Sequence, residues 1–321
     1  MMSTPMSQET PSSQRSIALV DALAAIGRGD FAHRILISFS DIDREGARTF
    51  ARLFPTIDEA ERVRLIQALD DLVDLSIEYD FSRVFEIALD DESPIVRQRA
   101  MSALWESESP ALIDRFMEML EDPSIDVRAE AASLLGRFAQ RCEEGEFPDE
   151  TVERLYERLR DLATDPRVPQ IVARRALESL GNFGSRSDVR QIILDANDHD
   201  DQSVRAGALF AMGRTMDADW LELLMDELFS DDPELRFEAA RALGTIGDTR
   251  AVEGLARLAS DEDSEVRMAA IQAIGAIGSP GSERVLRRLA ERSSDEDEIA
   301  AIVEALEELE AMDMDRWDQE S

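Results

Sequence analysis

The chain has 321 residues, 44% of them hydrophobic and 33% charged, enough apolar material for a folded core and too much for global disorder. Seventy acidic residues face 35 basic ones, all arginine, for a formal charge of -35; this excludes a general binder of nucleic acid or anionic membrane, which needs a basic surface. One cysteine, Cys142, excludes an internal disulfide and any multi-cysteine metal site, and two histidines, His33 and His199, exclude most histidine-based centres.

Residues 1–14 are rich in Ser, Thr, Gln and Pro and read as a disordered tail, without the basic start and apolar run of a secretory leader. No stretch approaches 18 apolar residues, so no membrane span is predicted and the cytoplasm is the expected location. Arginine without lysine is a composition expected of a GC-rich bacterial genome. Residues 15–79 are expected to form an N-terminal helical cap and a degenerate repeat. Within them, 15–40 are helical in pattern but fit no repeat, while 41–54 and 58–75 look like a helix pair.

From 80 to 312 the chain repeats itself. Val127-Arg128 leads to Ala131 and Leu135-Gly136, Val204-Arg205 to Ala208 and Met212-Gly213, Leu235-Arg236 to Ala239 and Leu243-Gly244, and Val266-Arg267 to Ala270 and Ile274-Gly275. Val96-Arg97 follows the pattern until Trp105 stands in the Gly place, and Val172 follows it with Ala173 in the Arg place. Five intervals separate the six Val/Leu positions; four are of 31 or 32 residues and one is of 45, which implies a repeat of about 31 residues and an insertion around 141–150.

Each repeat carries two helical patterns. Leu221, Leu224, Met225 and Leu228 make one apolar stripe over 219–229. Asp231, Asp232 and Pro233 then stop and restart the chain, with Asp232 placed to cap the next helix and Pro233 suited to its first position. Leu235, Ala239, Ala242 and Leu243 form the second buried face, and Gly244 and Gly247 are expected to end that helix. A helix pair of this size cannot bury its stripe alone. Since burying a Leu or Val side chain is worth roughly 1.5–3 kcal/mol, each pair gains by stacking on the next, and Ala at the repeated positions permits close approach. The expected fold is all-α: an α-solenoid, a superhelix of stacked antiparallel helix pairs.

Arg97, Arg128, Arg205, Arg236 and Arg267 stand in the first turns of their helices, where the helix dipole disfavours a cation. Acids precede each one: Asp91, Asp122 with Asp126, Asp200 with Asp201, Asp231 with Asp232, and Asp261 with Asp263. The pattern reads as an Asp–Arg ladder linking successive turns, a structural device and not a row of anion-binding arginines. The last helix pair, 281–309, has lost the Arg and Gly signals and reads as a terminal capping unit; from 295 to the end there are twelve acids against Arg316 alone, and 313–321 read as an acidic tail.

The segments DPELRFEAARALGTIGD and DSEVRMAAIQAIGAIGS resemble HEAT repeats, in particular the short HEAT-like repeats named after phycobilisome lyases. That resemblance covers 80–291 strongly and implies that second helices line an extended inner face suited to a protein or peptide partner. The charge of the chain favours a basic one. The implied role is a non-catalytic scaffold or adaptor; the alternative from the same resemblance is a lyase-like or chaperone-type protein that holds a small ligand in the groove. Deoxyhypusine hydroxylase, with related repeats, holds di-iron through His-Glu dipeptides, and here the histidines precede Arg34 and Asp200.

No cofactor, metal or catalytic residue is implied. Asp41, Asp43, Glu45 and Gly46 imitate the start of a calcium loop, but Arg52 stands where a bidentate Glu is needed. The candidate partner-binding residues are departures from the repeat. Trp105 offers an aromatic anchor or a cover for the adjoining helix end. Phe147, in the long interval, and Arg174 and Arg175, beside the lost ladder position, mark a second contact zone or a tolerated lesion. Trp220 and Phe229 are expected to pack.

Overall fold

Acids at the turns start the helices. In the computed structural model, which describes residues 11–75, 78–107 and 109–320, Asp201, Asp232 and Asp263 accept free backbone N–H groups that open the next helix. The donors are Ser203 at 2.9 Å, Glu234 at 2.8 Å and Glu265 at 2.8 Å. Pro233 follows Asp232 at the first helical position, where its missing N–H costs nothing. Gly247 and Gly278 close two helices with φ of 74° and 65°, a left-handed conformation that a side chain would strain.

The described residues hold eighteen α-helices and no strand. They fall into two compact units, Met1–Leu134 and Leu135–Ser321. The first contains α1 (Pro11–Ile26), α2 (His33–Leu36), α3 (Arg44–Leu53), α4 (Glu59–Leu75), α5 (Ser82–Ala88), α6 (Pro94–Ala103), α7 (Ala111–Met119) and the start of α8 (Ile125–Glu143). The second contains the end of α8, then α9 (Asp149–Thr164), α10 (Gln170–Leu180), α11 (Ser187–Asn197), α12 (Gln202–Arg214), α13 (Leu221–Glu227) and α14 (Pro233–Ile246). It finishes with α15 (Val252–Leu258), α16 (Ser264–Ile277), α17 (Pro280–Ala290) and α18 (Glu296–Glu320). First and second helices pair, and each second helix lies against the next: α4 on α6, and in the second unit α10, α12, α14, α16 and α18 in turn. The fold is an all-α solenoid of stacked helix pairs.

Buried Val96, Val127, Val172, Leu235 and Val266 form the core from the repeated apolar position, and Ala131, Ala208, Ala239 and Ala270 lie beside them. Three features differ from the sequence expectations. The tail assigned to 1–14 lies outside the described residues for its first ten positions; from Pro11 onward the backbone is helical, in a helix whose buried Leu19, Leu23 and Ile26 anchor it. The 45-residue interval is no inserted loop. Its extra residues lengthen α8 and α9 to 19 and 16 residues, against 14 and 7 in α14 and α13, with Gly145 at φ 82° in the turn between them.

The third difference concerns the repeated glycine. Gly244 lies inside α14 and does not end it. A Cβ at Gly244 would sit 2.8 Å from Cα of Ala273 in α16, one at Gly213 would sit 2.8 Å from Cα of Ala242, and one at Gly275 would sit 2.8 Å from Cβ of Ala305. The glycine is there because consecutive second helices touch backbone to backbone.

Gly244→Ala therefore forces α14 and α16 apart and should cost about 1–3 kcal/mol, read as a lower midpoint in urea unfolding. Gly254→Ala is the control. Its Cβ meets only the far end of Leu228, which can move, so the loss there should be much smaller.

Candidate functional site

Three of the ladder arginines, Arg97, Arg236 and Arg267, each make two sets of bonds. Arg236 donates from Nη1 to the carbonyls of Ser230 and Asp231 in its own turn, at 2.9 and 3.3 Å, and from Nε and Nη2 to both carboxylate oxygens of Asp261 in the next turn, each at 2.8 Å. Arg97 repeats this with the carbonyls of Asp91 and Glu92 and the carboxylate of Asp122. Arg267 bonds the carbonyls of Asp261 and Glu262 and reaches Glu298. Arg128 donates to the carbonyls of Asp122 and Pro123. The acids ahead of Arg97, Arg128 and Arg267 thus offer these arginines their main-chain oxygens, while the carboxylates that receive Arg97 and Arg236 belong to the following turn. Asp261 also accepts the N–H of Asp263, so one side chain folds its own turn and binds the preceding repeat. Burial pushes the Asp261 carboxyl up, but the bonds from Arg236 and Asp263 outweigh it and hold it below the ordinary range.

One rung was not legible in the sequence. Arg62 in α4 is almost fully buried, donates to the carbonyl of Ile57 at 2.6 Å, and pairs with Asp91 and Glu92. It lies in the degenerate pair, 35 residues before Arg97, so the 31-residue period does not predict it.

The departures from the ladder come in matched pairs. Two residues before each cap, where Asp91, Asp122 and Asp261 stand, residue 230 is Ser. Arg205 accordingly goes to Glu227 at the end of α13. At the same place before Asp201 stands His199, whose Nδ1 accepts the Asp201 N–H at 3.0 Å, and the arginine that would face it is replaced by Ala173. Arg174 takes a different path. It donates to Glu178 at 2.9 Å, to Ser203 Oγ at 2.9 Å and to Glu234 at 2.7 Å, tying α10 to α12 and α14. Arg175, less buried, shares Glu178 at 2.7 Å.

Phe147 is half-buried: its ring meets Phe138 edge-on at 6.3 Å, with the Arg141 guanidinium 5.1 Å above it. Trp105, in the turn after α6, keeps half its surface exposed. Trp220 is buried, as expected, and donates its Nε1–H to Thr215 Oγ1 at 3.0 Å. Phe229 corrects the expectation: it is 69% exposed, because α13 ends at Glu227 and the turn carries the ring out of the stripe.

A groove runs along the second helices of the unit Leu135–Ser321. One cavity, about 230 Å³, lies among α12, α14 and α16 and is lined by Phe210, Arg214, Glu238, Arg241, Thr245 and Gln272. A second, about 640 Å³, shares Ala269 and Gln272 with it and is bordered by Phe237, Met268, Arg267 and the acids Glu265, Asp295, Asp297 and Glu298. Glu238 is buried, 3.4 Å from Nη1 of Arg241 and 4.0 Å from Nη2 of Arg174. Burial pushes its carboxyl up to about 6: Arg241 and Arg174 pull the other way, and Glu178 and Glu234 add to the rise.

Elsewhere the chemistry is structural. Cys142 is buried and its thiol is pushed up to about 11, chiefly by burial and then by Glu143, which leaves it protonated and inert. Asp43 caps α3 by accepting from Glu45 and Gly46. Among the described residues no group of three or more His, Cys, Asp or Glu side chains is arranged to hold a metal ion, and no helix is long and apolar enough to cross a membrane.

A family model described as HEAT repeats matches residues 82–169 and 221–307, more than half of the chain. A comparison with curated protein sequences returned no match. Among solved structures, the complex of CpcE and CpcF of phycocyanin lyase from Nostoc sp. PCC7120 is 19% identical, over 96% of this chain and 99% of that one, with a TM-score of 0.45. Human deoxyhypusine hydroxylase is 17% identical over 92% and 98%, with a TM-score of 0.37. A designed armadillo repeat protein is 18% identical over 61% and 99%, with a TM-score of 0.36.

Removing either side of the Arg236–Asp261 pair strands a buried charge, so Arg236→Ala and Asp261→Ala should each cost about 3 kcal/mol in urea unfolding, and the double variant much less than their sum. Because the folded carboxyl of Asp261 is depressed, its contribution is present above the unfolded value of about 4 and is lost as pH falls through the folded one. Asp261→Asn removes that acid limb. Glu238 has the opposite sign. Its carboxyl rises from 4.5 to about 6, so the associated stability is present below 4.5 and lost as pH rises through about 6. Glu238→Gln should be the more stable protein at pH 8, by about 2 kcal/mol, with the advantage gone near pH 4.5.

Proposed function

The chain belongs to the HEAT-repeat family, and from that premise we propose that it is a non-catalytic scaffold or adaptor that holds a basic segment of a protein partner against the groove of α12, α14, α16 and α18. The observation that carries this reading is the rim of the larger cavity. Glu265, Asp295, Asp297 and Glu298 surround the half-buried Phe237 and Met268, so a Lys or Arg side chain can lay its methylene stem on apolar surface while its charge meets carboxylates. Long-range steering favours the same partner, since a chain of charge -35 attracts cations from solution. In the unit Met1–Leu134, exposed Trp105 is the proposed aromatic anchor for a second contact. Arg175 is proposed as a rim contact beside the groove. Arg174 and Phe147 support the stack around it. The proposed setting is the cytoplasm.

A second reading has one observation in its favour. A cavity of about 640 Å³ is within the range that holds small organic ligands, which suits a lyase-like or chaperone-type role.

Arg/Lys-rich peptides bearing occasional apolar residues should bind the full chain, and binding should weaken at least roughly tenfold between about 0.05 and 0.5 M salt. Charge reversal of Glu265 and Asp297 to Lys should abolish it, with the far-ultraviolet circular dichroism unchanged. Peptides of the opposite charge binding equally well would refute the proposal. A stoichiometric small molecule found by native mass spectrometry in purified protein would favour the second reading.

A further inference from the structure

Arg214 breaks the charge pattern of this chain. Arg62, Arg97, Arg236 and Arg267 all end on a carboxylate of the following repeat. Arg214, the last residue of α12, ends on neutral amide oxygens. Its Nε donates to Asn182 Oδ1 at 3.0 Å, and its Nη2 donates to that atom and to Gln140 Oε1 at 3.0 Å. Among the described residues its Nη1 has no partner. The charge that acts on it is a like one: burial and then the nearby Arg241 both lower its basicity. Arg241 is held loosely in turn, by one 3.4 Å bond to Glu238 and by the rings of Phe210 and Phe237, 5.2 and 5.5 Å from its guanidinium carbon. In a chain with two acids for every base, Arg214 is a half-buried cation given amide partners and a second cation for a neighbour, a concentration of positive charge that favours an anion.

The two cations face one cavity. Arg214 and Arg241 line the same 230 Å³ cavity, with the exposed amide of Gln272 on its wall. Its floor is Gly213, Ala242, Gly244 and Ala273, the residues that bring the helices into contact, so no side chain rises from it. We propose that this cavity between α12, α14 and α16 binds an oxyanion, a carboxylate or a phosphoryl group, bridged by the guanidinium groups of Arg214 and Arg241 and bonded by Gln272. Guanidinium N–H pairs match two oxygens of such a group, and partial desolvation strengthens each bond. The site adjoins the one read for a basic peptide and shares Gln272 on its wall, but its charged groups are different: guanidinium groups here, carboxylates there.

Glu238 is the internal competitor. It lines the same cavity, holds Arg241 when ionised, and is surrounded by Arg174 and Glu178 from α10 and by Glu234 and Arg241 on its own helix. Protonation near pH 6 frees Arg241, so anion binding tightens as pH falls through that range.

The test is thermal unfolding of the full chain in inorganic phosphate, sulfate or succinate, each against chloride at equal ionic strength. At ten times its Kd a bound oxyanion should raise the midpoint by about 2–4 °C. The stronger of the phosphate and succinate arms identifies the group. Arg214→Gln and Arg241→Gln should each weaken binding at least about tenfold, whereas Arg257→Gln, an equal charge change at an exposed site on α15, should leave it unchanged. Arg241 is half exposed and its one ion-pair bond, to Glu238, is a long 3.4 Å, so its variant tests the site even if Arg214→Gln perturbs folding. Sulfate keeps its charge from pH 5 to 8 and should bind more tightly at the lower end, with Glu238→Gln removing that dependence. No shift with any oxyanion, or equal shifts in Arg241→Gln and the parent chain, overturns the proposal.

Discussion

Consecutive second helices meet closely enough that a single methyl group would be in the way. At Gly213, Gly244 and Gly275 the space for a Cβ is already taken by an alanine of the next second helix. This close approach sets the rest of the geometry. It places the turn ahead of each second helix near the turn ahead of the next, within reach of an arginine side chain, and it makes the groove floor from backbone and methyl groups. A helix pair of 7 and 14 residues, such as α13 and α14, has too little core of its own to hold together. Its stability comes from the neighbour, as in other repeat arrays.

The arginine ladder solves a problem that the close stack creates. Carbonyls at each turn point into a half-buried corner and need donors. A guanidinium group there supplies them from Nη1 and presents its other edge to the next repeat, where both oxygens of a carboxylate receive it. Lysine could not do both, since it lacks the planar fork. Where one member of the pair is lost the other is lost or redirected with it: Ala173 faces the place of His199, and Arg205 turns to Glu227 because Ser230 stands where an aspartate would be. An unpaired charge in that corner would be costly, so such sites change together.

Much of this was legible in the sequence, and the failures have physical causes. The repeated Val-Arg and Ala positions, the capping Asp232, and the stop at Asp-Pro report local rules that hold within a few residues, so the helix pairs and their stacking followed. Gly244 was misread because glycine serves both as a helix end and as a site of close approach, and only the neighbouring helix distinguishes them. The residues at 141–150 look like an insertion in a spacing count, but they are the end of one lengthened helix, a five-residue turn and the start of another, since a period measures displacement and not conformation. Arg62 escaped because its turn, with Pro55 and Ile57, departs from the consensus although the carbonyl geometry is kept. The groove was legible only as an implied inner face. Its named side chains come from four helices, and no local pattern joins them.

Stacking and recognition are assigned to different positions on the same helices. Gly244, Ala239 and Leu243 of α14 face its neighbours and cannot change without moving them. Phe237, Arg241 and Thr245 of α14, and Met268 and Gln272 of α16, border the cavities from above that floor and retain solvent exposure. Substitution there alters the chemistry of the groove while leaving the interhelical distance alone. The exception is Glu238, which is buried like a core residue yet lines the cavity, and whose carboxyl is tied to arginines of two repeats. A group in that position couples the two tasks: what occupies the groove changes its protonation, and its protonation changes how firmly α10 and α14 are joined through Arg174.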